Sequence, residues 1–105
     1  MEFTELMRRA AEVGALYAEF ERGKYGRSWT SEELALGFVG DVGDLLKLEL
    51  AINGVRDVPD ARNKLEHELA DCLWSMIVLA QTHEVDLEAA FLKTMNELEA
   101  RLSSR

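Results

Sequence analysis

Four carboxylates, arranged as two pairs, stand out in the middle of the chain. Asp41 and Asp44 form one pair, and Glu68 and Asp71 form the other. The members of each pair are three residues apart, so on a helix both side chains point to one side and can share a cation. Both pairs lie among apolar residues, and an acid in such surroundings needs a compensating partner. Oxygen ligands without histidine or cysteine favour Mg²⁺ or Mn²⁺ over zinc.

A magnesium site of this kind indicates phosphate chemistry, because Mg²⁺ keeps some waters and accepts substrate phosphates at its remaining positions. A di-iron carboxylate site is excluded, since it requires Glu-x-x-His on two helices. Here Glu68 is followed at that spacing by Asp71, and His83 is preceded by Ala80. Ordinary solvated helix acids remain an alternative, because 20 of the 105 residues are acidic.

The elements that must position these acids are helices. Apolar residues recur in steps of three and four, and no strand pattern or repeat is present. We expect four helices, at about 4–22, 31–53, 61–83 and 87–102. Their boundaries are indicated by Gly23 as a stop, by a capping box from Thr30 to Glu33, by Asn53-Gly54, and by the N-cap residues Asp60 and Asp86.

The second and third predicted helices are joined by a short connection and should lie antiparallel, so the two acid pairs face each other. The fold class is therefore all-α, an antiparallel bundle of about four helices in a single domain over residues 1–105. A chain of this length buries only a modest core, and the second half of helix three is apolar on nearly every side. We expect homodimerisation to complete the bundle, and a tetramer stays open.

Composition limits the partners and the setting. The net charge of −8 disfavours binding to a nucleic-acid backbone, and no apolar stretch is long enough for a membrane span. The N-terminus lacks the apolar region of a signal peptide. The single cysteine, Cys72, lies among apolar residues and is expected to be a buried, reduced thiol, which fits a cytoplasmic protein.

Two segments carry a resemblance to a known family. One segment is the stretch 34–45, which contains Asp41-x-x-Asp44, and the other is the stretch 68–73, which contains Glu68-x-x-Asp71. Both resemble the MazG-type all-α nucleoside triphosphate pyrophosphohydrolases, which include dCTP- and dUTP-acting branches. The family signature is ExxE, a gap, then ExxD. The stretch 85–93 resembles the opening of the family's last helix, so the likeness covers about residues 29–101.

The resemblance implies Mg²⁺-dependent hydrolysis of an NTP or dNTP, a non-canonical nucleotide included, to the monophosphate and pyrophosphate. The four acids would hold the metal and act in catalysis, with Asp41 favoured for orienting the attacking water. Aspartates replace both family glutamates of the first pair, so the metal would sit closer to the second helix or be reached through water. The family's asparagine after the last-helix lysine falls on Glu97, with Asn96 one position early.

Further residues are candidates for substrate binding. Lys64, one turn before Glu68, and Lys93 on the last helix are candidates for contacting phosphate, with surface exposure as the alternative. Trp29 and Trp74 offer stacking surfaces for a base, with helix stapling and core packing as their respective alternatives. Glycines at 37, 40 and 43 allow either a ligand or another helix to approach closely.

Two other functions stay open. One is a catalytically impaired relative that uses the same bundle for nucleotide binding or dimerisation. The other is the sister enzyme phosphoribosyl-ATP pyrophosphohydrolase. The residues alone leave the nucleobase and the sugar undetermined.

Overall fold

The computed structural model describes residues 2–103, which form four α-helices and no strand. The helices are α1 (Phe3–Tyr25), α2 (Ser31–Ile52), α3 (Ala61–Thr82) and α4 (Leu87–Ser103). The prediction of an all-α fold with four helices is confirmed. None of these helices is long and apolar enough to cross a membrane.

The start of α2 is fixed by the predicted capping box. The Thr30 hydroxyl accepts a hydrogen bond from the backbone N–H of Glu33 at 3.2 Å, and the Glu33 carboxylate accepts one from the backbone N–H of Thr30 at 2.9 Å. The Arg27 guanidinium also donates to both Glu33 oxygens, at 2.7 and 2.9 Å, and chiefly for this reason the pKa of Glu33 falls to about 2. These contacts fix where α2 begins.

One predicted helix end and one predicted capping interaction differ from the structure. Helix α1 passes through Gly23 and ends instead at Gly26, which has φ 82° and donates its N–H to the Arg22 carbonyl at 3.0 Å. A single glycine weakens a helix by only about 1 kcal/mol, so packing and a better stop further on override it. Asp60 lies at the start of α3, but its carboxylate accepts from the Asn63 side chain at 2.9 Å and caps no backbone N–H.

Helix α3 is the central element, with α2 packed against one side and α1 against another. Two hydrogen bonds tie α1 to α3: the Trp74 indole N–H donates to the Ala10 carbonyl at 3.2 Å, and the Gln81 amide donates to the Met7 carbonyl at 2.8 Å. Later residues of α3 meet earlier residues of α1, so these two helices are antiparallel.

The buried apolar core is small, consisting of Ala10, Leu48, Cys72, Ile77 and Ala80. The buried thiol was predicted correctly, but the apolar second half of α3 is only partly covered, since Leu73 is 43% exposed. The apolar side of α4 is also open, with Phe91 58% exposed. The reason is that α4 packs only loosely on the other helices. The radius of gyration is 16.7 Å, whereas a compact chain of about 100 residues has about 13 Å.

Candidate functional site

The pairing of α2 with α3 brings the two predicted acid pairs together. Carboxylate oxygens of Asp41, Asp44 and Glu68 all lie within 4.8 Å of one another. A second group, in which ligand atoms of His67, Glu68 and Asp71 lie within the same distance, shares Glu68 with the first. Asp44 lies near Glu68 while Asp41 interacts with Asp71, as antiparallel helices require. We name these two overlapping groups the acid cluster.

The carboxylates of the acid cluster repel one another. Burial raises the pKa of Asp41, and the charges of Asp71 and Asp44 raise it further. The pKa of Glu68 is raised by burial first and then by the carboxylates of Asp41, Asp71 and Asp44. Among residues 2–103, no lysine or arginine forms an ion pair with any of the four acids. One histidine contacts the cluster, with His67 Nε2 lying 3.1 Å from Asp71 Oδ2.

One atom of the cluster lacks any partner. Glu68 Oε2 is buried and accepts no hydrogen bond from the described residues. A buried carboxylate oxygen without a donor is costly, and a divalent cation would satisfy this atom and relieve the repulsion between the acids. The ligand atoms of Asp41, Asp44 and Glu68 are all carboxylate oxygens, the type that Mg²⁺ and Mn²⁺ prefer. These residues therefore fit a hard divalent cation.

A cavity of about 400 Å³ borders the acid cluster near the α2–α3 connection. Its wall includes Asp44 and Glu68 together with the basic side chains of Lys47, Arg56, Lys64 and His67. In the described part of the chain, Lys47, Arg56 and Lys64 form no ion pair. The predicted phosphate contact Lys64 thus lies beside the acids, in a cavity suited to an anion. The His67 side chain is exposed.

A second cavity, of about 180 Å³, lies on the other side of the acid cluster and is named here the aromatic cavity. Trp29 and Trp74, both predicted as stacking residues, line it, and so does Asp41. The Trp74 ring also packs at 52° against the Tyr17 ring, with centroids 5.3 Å apart. Trp74 therefore has the packing role given above as the alternative to stacking on a base, and it lines the cavity as well. Lys93 is exposed on α4 and lines neither this cavity nor the one near the connection.

The glycines of α2 face open space. A Cβ atom built at Gly37, Gly40 or Gly43 would meet no atom within 4 Å, so no other helix of this chain packs tightly on them. Gly37 lines the aromatic cavity. Of the two readings of these glycines, tight packing within the chain is thus excluded by the structure.

Sequence reasoning did not single out two residues that the structure places at the aromatic cavity. These are Tyr17 and Glu21, neither of which was predicted to take part in a site. The available signal was weak: Glu21 follows Tyr17 by four residues and therefore shares its helix face.

A family comparison agrees with the geometry. The family model of the MazG nucleotide pyrophosphohydrolase domain matches residues 30–105, which is more than two thirds of the chain. The matched range begins at the N-cap of α2 and includes all four acids of the cluster. The chain belongs to the MazG family. No curated protein and no solved structure matches it.

The range matched to the family covers three of the four helices. Helices α2, α3 and α4, which carry the acid cluster, lie inside the matched range, whereas α1 lies before it. Tyr17 and Glu21 therefore belong to the part of the aromatic cavity that this chain adds outside the range matched to the family.

Proposed function

We propose that this MazG domain hydrolyses a nucleoside or deoxynucleoside triphosphate to the monophosphate and pyrophosphate, with Mg²⁺ or Mn²⁺ as cofactor. The observation that carries the proposal is the acid cluster, in which two groups of ligand atoms share Glu68, whose Oε2 atom is buried without a partner. Such a cluster on facing helices, within a nucleotide pyrophosphohydrolase family, is best explained by a metal-dependent phosphate reaction.

Asp41, Asp44, Glu68 and Asp71 would hold the metal. A divalent cation bound there supplies charge neutralisation for the phosphate oxygens and lowers the pKa of an attacking water. Asp41 is our candidate for orienting that water, because it lies at the border of the acid cluster and the aromatic cavity.

The two cavities on either side of the cluster accommodate the two ends of a nucleotide. Lys64 and Arg56, in the cavity near the connection, would bind the phosphates beyond the bond that breaks. Trp29 and Trp74 would stack on the base in the aromatic cavity. Lys93 stays a predicted phosphate contact on α4.

The proposal is tested by incubating the purified protein with canonical and modified NTPs and dNTPs plus Mg²⁺ or Mn²⁺ and measuring pyrophosphate release. We expect release from at least one nucleotide. Asp71→Asn should abolish it, whereas the control Asp57→Asn, an exposed loop acid, should not.

Three other outcomes separate the alternatives. No pyrophosphate from any nucleotide, together with no thermal shift on adding metal, would refute the enzyme and its metal site. A thermal shift with metal and nucleotide but without turnover would indicate a nucleotide-binding module. Turnover of phosphoribosyl-ATP alone would indicate the sister enzyme.

We also propose that residues 1–105 act as one domain and pair with a second copy. Apolar side chains are widely exposed on two helices: Leu36, Val39 and Leu46 on α2, and Phe91 and Leu92 on α4. Exposed apolar surface of this extent is typical of a subunit interface. Light scattering should give twice the chain mass of 11.9 kDa, and Phe91→Glu should reduce it towards the monomer. A monomeric wild type would refute the dimer, and four times the mass would indicate a tetramer.

A further inference from the structure

Glu21 is a buried carboxylate with a single protein donor. The residue is only 6% exposed, and its Oε1 accepts a hydrogen bond from the backbone N–H of Trp29 at 2.7 Å. Within residues 2–103, no ion pair and no second hydrogen bond reaches this carboxylate. A buried carboxylate normally needs several donors or a cation. The protein therefore leaves acceptor capacity on Glu21 unused.

The Glu21 side chain is part of the lining of the aromatic cavity. Glu21 lines the cavity together with Tyr17, Trp29 and Trp74, and Asp41 of the acid cluster lies on the same wall. The other glutamate there, Glu33, is already occupied by Arg27 and by the capping box. Glu21 is thus the glutamate of this cavity that can still accept hydrogen bonds from a bound molecule.

The chemistry of the cavity selects one kind of nucleobase. Aromatic walls accept any planar base by stacking, so they do not discriminate between bases. A carboxylate accepts hydrogen bonds and donates none. It pairs with the exocyclic amino group of a base such as cytosine. A carbonyl oxygen at the same position would face the carboxylate with no hydrogen between them, which is repulsive.

We propose that Glu21 accepts a hydrogen bond from the exocyclic amino group of the substrate base, so that this MazG domain prefers amino-bearing bases to their oxo counterparts. The inference rests on the proposed function, whose substrate it narrows. It makes Glu21 a residue that determines specificity, contributed by α1 from outside the range matched to the family.

Two matched substrate pairs test the proposal, because the members of each pair differ in an amino or an oxo group at one ring position. These are dCTP against dUTP and ATP against ITP, compared by kcat/KM of the wild type. We expect the amino member of at least one pair to be favoured by about tenfold to a hundredfold. Equal efficiency within both pairs, or preference for the oxo members, would overturn the proposal.

Glu21→Gln supplies the sharper test. The glutamine carbonyl can still accept from the Trp29 N–H, while its NH₂ group turns towards the base and donates to an oxo group. The preference should therefore disappear or invert, with KM of the amino substrate rising more than kcat falls. Glu19→Gln, an exposed acid on the same helix, should keep the wild-type ratio. A Glu21→Gln variant with the wild-type ratio would show that Glu21 only positions Trp29.

A binding measurement keeps the inference separate from catalysis. Quenching of tryptophan fluorescence by dCMP and dUMP reports the affinity of the wild type for each base without any turnover. Tighter binding of dCMP would support the role of Glu21 even if no nucleotide is hydrolysed, in which case only the proposed function fails. Equal affinity for both monophosphates, together with normal turnover, would refute the role of Glu21 and leave the proposed function intact.

Discussion

Glu68→Gln should stabilise the metal-free protein while destroying its response to metal. Glu68 belongs to both groups of the acid cluster, and its Oε2 atom is buried without a donor. Glutamine keeps the shape of the side chain, removes one negative charge, and offers an amide N–H to the carboxylates of Asp41 or Asp44. A repulsive contact is thereby exchanged for a hydrogen bond.

The size of the effect follows from the separations in the cluster. The ligand atoms of Asp41, Asp44 and Glu68 lie no more than 4.8 Å apart, and two unit charges at that distance repel by about 3.5 kcal/mol at an effective dielectric constant of about 20. The exposure of Asp44 to solvent reduces this repulsion in the wild type. We therefore expect the free energy of unfolding to rise by about 1–2 kcal/mol, which for a domain of this size raises Tm by about 5–10 °C.

The assay is thermal unfolding of wild type and variant in EDTA and again in saturating Mg²⁺. Wild type should gain stability with Mg²⁺, whereas Glu68→Gln should be more stable in EDTA and should gain little from the metal. Glu66→Gln, an exposed acid on the same helix, is the control and should behave as the wild type in both buffers. If Glu68→Gln is less stable than the wild type in EDTA, or retains the full shift with Mg²⁺, the description of the cluster as a strained metal site is wrong.

Three further predictions concern pH, helix ends and capping. In EDTA, the folded state binds protons to Asp41 and Glu68 more tightly than the unfolded state, so their contribution to stability is present at low pH. This contribution is lost as the pH rises above the ordinary pKa values of the two residues, 3.8 and 4.5, towards their raised pKa values in the folded state. Urea unfolding across this pH range should show the loss of stability, and Mg²⁺ should make that loss smaller. The same dependence of stability on pH with and without Mg²⁺ would contradict the prediction. Gly26→Ala should lower the free energy of unfolding by about 1–2 kcal/mol, because an L-residue is strained at its positive φ. Gly23→Ala should raise it by about 0.5–1 kcal/mol, since Gly23 is helical and a Cβ there meets nothing within 4 Å. Equal effects of the two substitutions in a urea titration would be inconsistent with the helix ending at Gly26. Thr30→Ala removes the capping hydroxyl and should cost about 1 kcal/mol in the same titration, and an unchanged midpoint would show that Glu33 and Arg27 alone maintain the start of α2.

The sequence by itself determined the helices and the acid pairs, because both depend on interactions over three or four residues. The capping box from Thr30 to Glu33 and the spacing of Glu68 and Asp71 are local patterns, and the structure contains both as predicted. The end of the first helix was predicted at the wrong glycine. Whether Gly23 or Gly26 terminates it depends on which residue the surrounding contacts allow to take a positive φ.

Only the tertiary structure decided how these elements combine into a site. The acids form two groups that share Glu68. This grouping depends on the register of α2 against α3, which spacing along one helix does not determine. The tertiary structure also placed Glu21 inside the aromatic cavity, since burial of this residue requires α1 to pack against α3 and the loop after α1 to bring the Trp29 N–H to it. A glutamate on an amphipathic helix predicts a solvated side chain, and only contacts between residues distant in the chain convert it into a buried acceptor.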